Sequence, residues 1–257
     1  MKEGKWNRWK IIRVIWVVFG LTFLGWMFYS VNADVEDDIF EDSSKIKVDI
    51  TSDYISFTPK TSFDKVMFFY PGALVDPDAY APLCRKIAEN GLQVLIIYMP
   101  WRMAIFGYNK IKELNLLADK SKQYILAGHS QGGKMAAQFV YENPGLIDQL
   151  ILLATTHPRD YDLSNSTIPV MKIFGSQDGV ADPQDILANK SLLPKNTMFV
   201  EIEGANHAQF GYYGSQLGDN EAQISREKQQ KIVLQNILWF IQANDHSDKS
   251  TEQSIEK

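Results

Sequence analysis

The spacing of apolar side chains changes period repeatedly along the chain after residue 45. Ile46, Val48 and Ile50 alternate with polar residues, which is typical of a half-buried strand, and 54–57 is a candidate partner. Six later segments predict further strands, at 66–70, 93–98, 124–127, 150–154, 170–174 and 198–202. Helical spacing appears between them, at 80–87, near 108–120, at 132–141 and at 223–241.

Strands that alternate with helices indicate βαβ units and a mainly parallel, twisted sheet with helices on both faces. The sequence therefore predicts one α/β domain over 46–243, and 257 residues are enough for such a domain with a large core. In sheets of this kind, binding and catalytic side chains collect at the carboxyl ends of the strands. The polar tail at 244–257 is expected to be disordered.

An uncharged apolar run, Val14–Tyr29, precedes the domain and approaches the roughly 17 residues that a membrane span needs. Basic residues lie before the run: Lys2, Lys5, Arg8, Lys10 and Arg13. Acidic residues follow it: Asp34, Glu36, Asp37, Asp38, Glu41 and Asp42. Because basic flanks stay on the cytoplasmic side, 1–33 is predicted to be a basic end plus a transmembrane helix, followed by an acidic linker at 34–45 and a domain outside the cell.

A cleaved signal peptide is the alternative for this segment. Val31-Asn32-Ala33 places small residues where a signal peptidase requires them, so a secreted chain would begin at Asp34. The bulky stretch at 26–29 is atypical of a cleavage region and favours the uncleaved anchor.

Charge and cysteine content narrow the function. The net charge is −5 and the isoelectric point is near 5.4, which argues against nucleic acid as a partner because no basic face is available for phosphates. Cys84 is the single cysteine, so the chain has no internal disulfide and no cysteine-based metal site. We expect neither a metal nor a cofactor.

An isolated hydroxyl stands at one strand-to-helix junction, in the segment Gly128-His129-Ser130-Gln131-Gly132. A Gly-x-Ser-x-Gly segment between a strand and a helix forms a sharp elbow that holds the serine out for chemistry. Its glycines must be small because the strand and helix approach closely there. A plain turn would explain the glycines but not the serine, so Ser130 is the candidate nucleophile.

A serine needs a base, and the base needs a carboxylate to orient it. Of the four histidines, His207 directly follows a predicted strand and so lies at the same sheet edge as Ser130. His129 is expected to point into packing, His157 to lie in a loop, and His246 to lie in the tail. Asp178 follows the strand at 170–174 and is the first choice of acid; Asp182 is the second, although its position before Pro183 suits a helix cap.

Between residues 46 and 243 the chain resembles the α/β-hydrolases, and among them the compact serine hydrolases of the dienelactone-hydrolase-like group. Four segments carry the likeness, together with the order serine, aspartate, histidine: YPGALVDPDAY, GHSQGG, GSQDGVADP and GANHAQFG. Two features depart from it, since the named dienelactone enzymes use cysteine as nucleophile and the family often has His-Gly where this chain has Pro71-Gly72. The resemblance implies an oxyanion hole formed by the backbone N–H groups of Ala73 and Gln131.

Only residues 155–167 separate two of the strands where many relatives insert a lid, so no lid is expected and loops must wall the pocket. Candidate apolar pocket residues, which would equally serve as packing, are Trp101, Phe106, Phe210, Tyr212 and Tyr213. Arg102 would meet an anionic group or remain solvated.

The leading hypothesis is a membrane-anchored, extracytoplasmic serine hydrolase of small carboxylic esters. An acyltransferase or a peptidase would share the triad. A catalytically silent binding protein that has kept the fold is the alternative from another class.

Overall fold

The computed structural model describes residues 7–255, without the side chains of 27–28 and of 246 onward. In this part of the chain, eight strands form one sheet: β1 Ile46–Ile50, β2 Tyr54–Pro59, β3 Lys65–Tyr70, β4 Gln93–Ile97, β5 Gln123–His129, β6 Gln149–Leu153, β7 Val170–Gly175 and β8 Met198–Ile202. Their order is β1-β2-β4-β3-β5-β6-β7-β8. The pairs β1–β2 and β2–β4 are antiparallel and all others are parallel, which confirms the predicted fold class.

Within the described residues, six α-helices accompany the sheet: α1 Arg8–Ser30, α2 Ala81–Ala88, α3 Lys110–Glu113, α4 Gln131–Glu142, α5 Pro183–Ala188 and α6 Arg226–Ile255. The helix expected over 108–120 is only the single turn α3, because Asn115 takes a left-handed conformation (φ 56°) that ends it. At the other end, α6 continues through the predicted disordered tail to Ile255, and residues 256–257 lie outside the described part of the chain.

The sheet is covered on both faces, which explains its apolar strands. Every residue of β3 is buried, and successive side chains enter opposite cores. Met67 and Phe69 belong to the core that includes side chains of α2 and α6, whereas Phe68 packs in the core on the α4 side with Phe139.

The N-terminal helix α1 projects from this domain. Its segment Arg8–Trp26 is not buried by the rest of the protein and, with a mean hydropathy of 1.5, is long and apolar enough to cross a membrane. The acidic segment 34–45 then follows the domain surface. Ile39 and Phe40 pack on the core, and the Arg85 guanidinium donates hydrogen bonds to the backbone oxygens of Ile39 and Glu41.

No helix or strand lies in residues 154–169, between β6 and β7, all of which the structure describes. The carboxyl edge of the sheet is therefore not covered by an inserted lid at this point, as the sequence predicts.

Candidate active site

Ser130 stands at a strained elbow between β5 and α4, with φ 54° and ψ −118°. Such backbone costs on the order of 1–3 kcal/mol and persists only where its surroundings enforce it. Here the Ser130 N–H donates to the Leu153 carbonyl (2.9 Å). A Cβ at Gly132 would lie 2.0 Å from the Tyr70 carbonyl oxygen, and one at Gly128 would lie 2.5 Å from the Gly132 backbone. The elbow therefore requires both glycines.

His207 and Asp178 form a buried pair at the same sheet edge. The His207 Nδ1 atom lies 2.9 and 3.1 Å from the two carboxylate oxygens of Asp178, and both side chains are fully buried. Asp178 Oδ1 also accepts hydrogen bonds from the backbone N–H groups of Val180 (2.9 Å) and Ala181 (2.6 Å). Three donors thus fix the orientation of this carboxylate.

The opposite nitrogen of His207 is unoccupied. Within the described residues, Nε2 has no hydrogen-bond partner, so no bond joins it to Ser130 Oγ. Catalytic hydrogen bonds commonly shorten only when a substrate is bound. His207 is therefore held at Nδ1, and its buried Nε2 atom is the nitrogen left to accept a proton.

Asp182 takes a different position from Asp178. It is exposed at the start of α5, where its Oδ1 accepts the Gln184 N–H (2.7 Å) as a helix cap. Of the two acids that the sequence leaves open, the structure brings only Asp178 to His207.

Asp219, which is not among the residues predicted from the sequence, joins the loops that carry this pair. Its carboxylate accepts hydrogen bonds from the N–H groups of Gly179 (3.1 Å), His207 (3.2 Å) and Ala208 (2.8 Å). Its partners belong to two loops that are distant in sequence, so no local motif marks it. The only sequence signal is an acidic residue after a glycine in the loop beyond His207.

His129 packs inward as expected, but against the site itself. Its ring centroid is 4.6 Å from that of His207, and its Nδ1 atom is 2.8 Å from the Tyr80 hydroxyl, which accepts the Gly72 N–H (3.1 Å). Burial, together with the neighbouring His207, lowers the pKa of His129 well below its ordinary value. A neutral His129 and Tyr80 therefore hold the loop after β3 next to the histidine.

The two residues predicted as oxyanion donors lie on that loop (Ala73) and at the elbow (Gln131). Across the described residues, the N–H groups of Ala73 and Gln131 donate no hydrogen bond to the protein. Gly72 has no room for a side chain, since a Cβ there would lie 2.9 Å from both His129 Nδ1 and the Tyr80 hydroxyl. Two unpaired donors thus flank the elbow.

A cleft of about 260 Å³ opens beside the serine. Its lining is Ser130, Gln131, Lys134, Ala154, Thr155, Thr156, His157, Val180 and Ala181. The loop histidine His157 is therefore at the cleft. Burial, followed by the positive charges of Lys134 and Arg159, lowers the pKa of His157 to about 4.

The predicted apolar pocket residues do not line this cleft. Trp101 and Phe106 are 85% and 64% exposed on the loop after β4. Phe210 is buried and stacks on His129 (centroids 5.5 Å apart), Tyr213 is buried, and Tyr212 lies beneath the Arg226 guanidinium. The Arg102 guanidinium binds Asp76 (2.6 Å) and Asn32 (3.0 Å). It is therefore neither freely solvated nor among the residues that line the cleft.

Among the described residues, no cluster of three or more histidine, cysteine or acidic side chains is arranged to hold a metal ion.

Comparison with known proteins relates this arrangement to one family. A model of the alpha/beta hydrolase family matches residues 66–231. No curated protein matches the chain. Among solved structures, the fold is similar to MGS-MChE2, an alpha/beta hydrolase enzyme from a lagoon-sediment metagenome of Mar Chica, Morocco (TM-score 0.58, 16% identity, 77% of this chain and 99% of that one).

Two further structures share the fold. They are Est1E from Butyrivibrio proteoclasticus, solved also with bound ferulic acid (TM-score 0.56, 16% identity, 78% and 98% covered), and TT1662 from Thermus thermophilus (0.53, 14%, 63% and 91%). At these identities the likeness establishes the fold alone.

Proposed function

Because the chain belongs to the alpha/beta hydrolase family, we propose that it is a serine hydrolase of carboxylic esters, with Ser130 as nucleophile, His207 as base and Asp178 as the orienting acid. The observation that carries the proposal is the buried Asp178–His207 pair at the sheet edge where a strained backbone presents Ser130.

The reaction proceeds through an acyl-enzyme. Ser130 Oγ attacks the ester carbonyl while its proton passes to His207 Nε2, and the Ala73 and Gln131 N–H groups stabilise the resulting oxyanion by roughly 3–4 kcal/mol each. The alcohol leaves with the proton from His207. Water, deprotonated by the same nitrogen, then attacks the acyl-enzyme, releases the acid and restores Ser130. Asp178 keeps the imidazole in the required tautomer and stabilises its charged form.

The substrate class follows from the site and from one neighbour. The cleft at Ser130 is open to solvent, which gives water access to an acyl-enzyme and favours hydrolysis over transfer to another acceptor. The neighbour Est1E holds ferulic acid, a carboxylic acid, and this supports carboxylic esters of small molecules as substrates.

Probe labelling tests the proposal. Ser130→Ala should abolish labelling by a fluorophosphonate and leave the melting temperature nearly unchanged, because the hydroxyl fills no core position. Ser215→Ala, at an exposed loop serine, is the matched control and should label like the unaltered chain. Labelling that persists in Ser130→Ala would identify another nucleophile; no labelling of the unaltered chain would favour a silent binding protein.

The proposal includes membrane anchoring by α1, with the domain outside the cell. Basic residues before the apolar run Val14–Tyr29, acidic residues after it and the exposed apolar surface of α1 support this orientation. Protease added to intact cells should remove the domain. Complete protection would reverse the orientation, and soluble protein beginning at Asp34 would establish a cleaved signal instead.

A further inference from the structure

The end of α1 is bound directly to the domain, without a flexible spacer. The Ser30 carbonyl accepts the Gly214 N–H (2.8 Å), and the Val31 carbonyl accepts the Asp76 N–H (2.9 Å). Ala33 forms a β-bridge with Tyr213, and the Asp34 N–H donates to the Tyr212 carbonyl (2.8 Å). These partners lie on the loops after β3 and after β8.

This attachment fixes how far the domain can stand from a bilayer. Ser30 directly follows Tyr29, the end of the apolar run Val14–Tyr29, so it lies only about 1.5 Å farther along the helix. The polar layer on each side of a bilayer is deeper than this, about 5–8 Å. If α1 spans the membrane, as the proposed function holds, the domain surface around Ser30 therefore meets the headgroup region.

An apolar surface lies next to this attachment. We call it the Trp101 patch and define it by four exposed side chains: Leu74 (46%), Trp101 (85%), Ile105 (46%) and Phe106 (64%). The Leu74 N–H donates to the Arg102 carbonyl (2.7 Å), and the Arg102 guanidinium binds Asn32 (3.0 Å) and Asp76 (2.6 Å). One arginine thus links the patch to the residues that follow α1.

The backbone holds this patch outward at a cost. Leu74, Trp101 and Arg102 all have left-handed conformations, with φ of 64°, 56° and 54°. Each is unfavourable for a side chain with a Cβ, by about 1–2 kcal/mol. Strain of this kind gathers where a fold enforces a particular presentation. An exposed tryptophan beside other apolar side chains is the arrangement that binds a membrane–water interface.

We propose that the Trp101 patch is a second membrane contact, which inserts among the lipid headgroups beside α1. The occupant is the bilayer itself, because Arg102 ties the patch to Asn32, two residues beyond the end of α1 at Ser30. Since Ala73 directly precedes Leu74, this contact places the mouth of the site at the lipid–water boundary. The inference rests on the proposed anchoring and extends the substrate class to esters that reside in the interface.

Fluorescence at single cysteines tests the contact without requiring any hydrolysis. Ile105→Cys and Phe106→Cys of the full chain, labelled with an environment-sensitive dye, are compared with Lys120→Cys, an exposed position just before β5 at the opposite edge of the sheet. Cys84 is buried and should not label, which the unaltered chain checks. Each protein is placed in phosphatidylcholine vesicles that carry a doxyl quencher just below the headgroup.

The dye at 105 and 106 should emit at shorter wavelength than at 120 and be quenched several-fold more strongly by the doxyl lipid. Equal, water-like emission at all three positions in a chain that floats with the vesicles would overturn the contact and leave the anchor standing. Emission at shorter wavelength without quenching by the doxyl lipid would indicate that a protein partner covers the patch. This result would also overturn the membrane contact. A chain that does not float would remove both the anchor and this inference, while labelling of Ser130 would still decide the hydrolase.

Discussion

At the scale of single residues, two aspartates that are four residues apart have different partners because they occupy different positions in one loop. Asp178 accepts two backbone N–H groups of its own loop and faces His207, whereas Asp182 caps α5. The same side-chain chemistry thus serves two purposes. Substitution by asparagine, which keeps the shape of the side chain, distinguishes them.

We expect Asp178→Asn to lower turnover of an activated ester by on the order of 10⁴, because an amide favours the wrong tautomer of His207. Asp182→Asn should cost about 1 kcal/mol of stability or less, since asparagine caps a helix nearly as well. Turnover is measured at mildly alkaline pH with thermal unfolding in parallel. Nearly full activity of Asp178→Asn beside a folded, inactive Asp182→Asn would give the role to Asp182.

Lys172, in the middle of β7, gives a second prediction at this scale. It is fully buried and its Nζ donates to the His157 carbonyl (2.8 Å). Burial, with a contribution from Arg159, lowers the pKa of Lys172 to about 7. The unfolded chain, with an ordinary lysine pKa near 10.4, then binds more protons between about pH 7 and pH 10, so the free energy of unfolding should rise with pH across that window.

Lys172→Met should remove this rise, which is of the order of 2–4 kcal/mol over the window. Denaturant unfolding at several pH values measures it as the difference between variant and unaltered chain. Lys190→Met, at an exposed lysine, is the control and should keep the original profile. The prediction would be contradicted if the free energies of unfolding of Lys172→Met and the unaltered chain differed by the same amount at every pH.

At the scale of elements, the site depends on how the loops after β7 and β8 are joined. Asp219 accepts one N–H from the Asp178 loop and two from the His207 loop. A buried Gln229 on α6 exchanges two hydrogen bonds with the Asn206 backbone (3.1 and 2.9 Å), which anchors the histidine loop from the other side. The pair is thus positioned by groups outside it.

Asp219→Ala should lower turnover by about 10²-fold, because loss of the shared acceptor lets His207 shift by a fraction of its hydrogen-bond length. The measurement separates kcat from KM and includes a melting curve. Asp219→Asn retains an acceptor, so its turnover should lie between those of the unaltered chain and of Asp219→Ala. Glu221→Ala removes an exposed acid two residues away and should leave turnover unchanged. Full activity of a folded Asp219→Ala would show that the loops are held by other contacts.

At the scale of the whole molecule, no helix or strand is inserted between β6 and β7 in the described part of the chain, and a cleft of about 260 Å³ opens beside Ser130. A long acyl chain gains affinity only from an enclosed apolar tunnel. Polar side chains such as Thr156 and His157 line the cleft instead. The architecture therefore favours a short acyl group, whatever the size of the alcohol.

Acetyl and butyryl aryl esters should give a higher kcat/KM than the dodecanoyl ester of the same phenol. All concentrations stay below the micellar limit so that monomeric substrate is compared. A higher kcat/KM for the dodecanoyl ester would mean that a larger acyl site exists.

The sequence by itself determined the features that local periodicity and short motifs encode. Alternation and apolar runs predict the eight strands, and Gly128 and Gly132 mark an elbow because contacts within a few residues demand their small size. The family resemblance is confirmed by a family model that matches residues 66–231. The prediction of a helix near 108–120 was wrong in its length, because the left-handed conformation of Asn115 ends the helix despite the helical spacing of apolar residues.

Only the tertiary structure decided which residues from separate loops meet. The choice of Asp178 at His207, the role of Asp219 between two loops and the direction of the Trp101 loop depend on contacts between segments far apart in sequence. Such contacts leave no periodic pattern in the sequence. A side chain can fit its own strand or loop equally well whether or not it also contacts a distant segment, so local spacing does not reveal the partner. Packing of the whole sheet brings those loops to one edge, and only there do their side chains become a site.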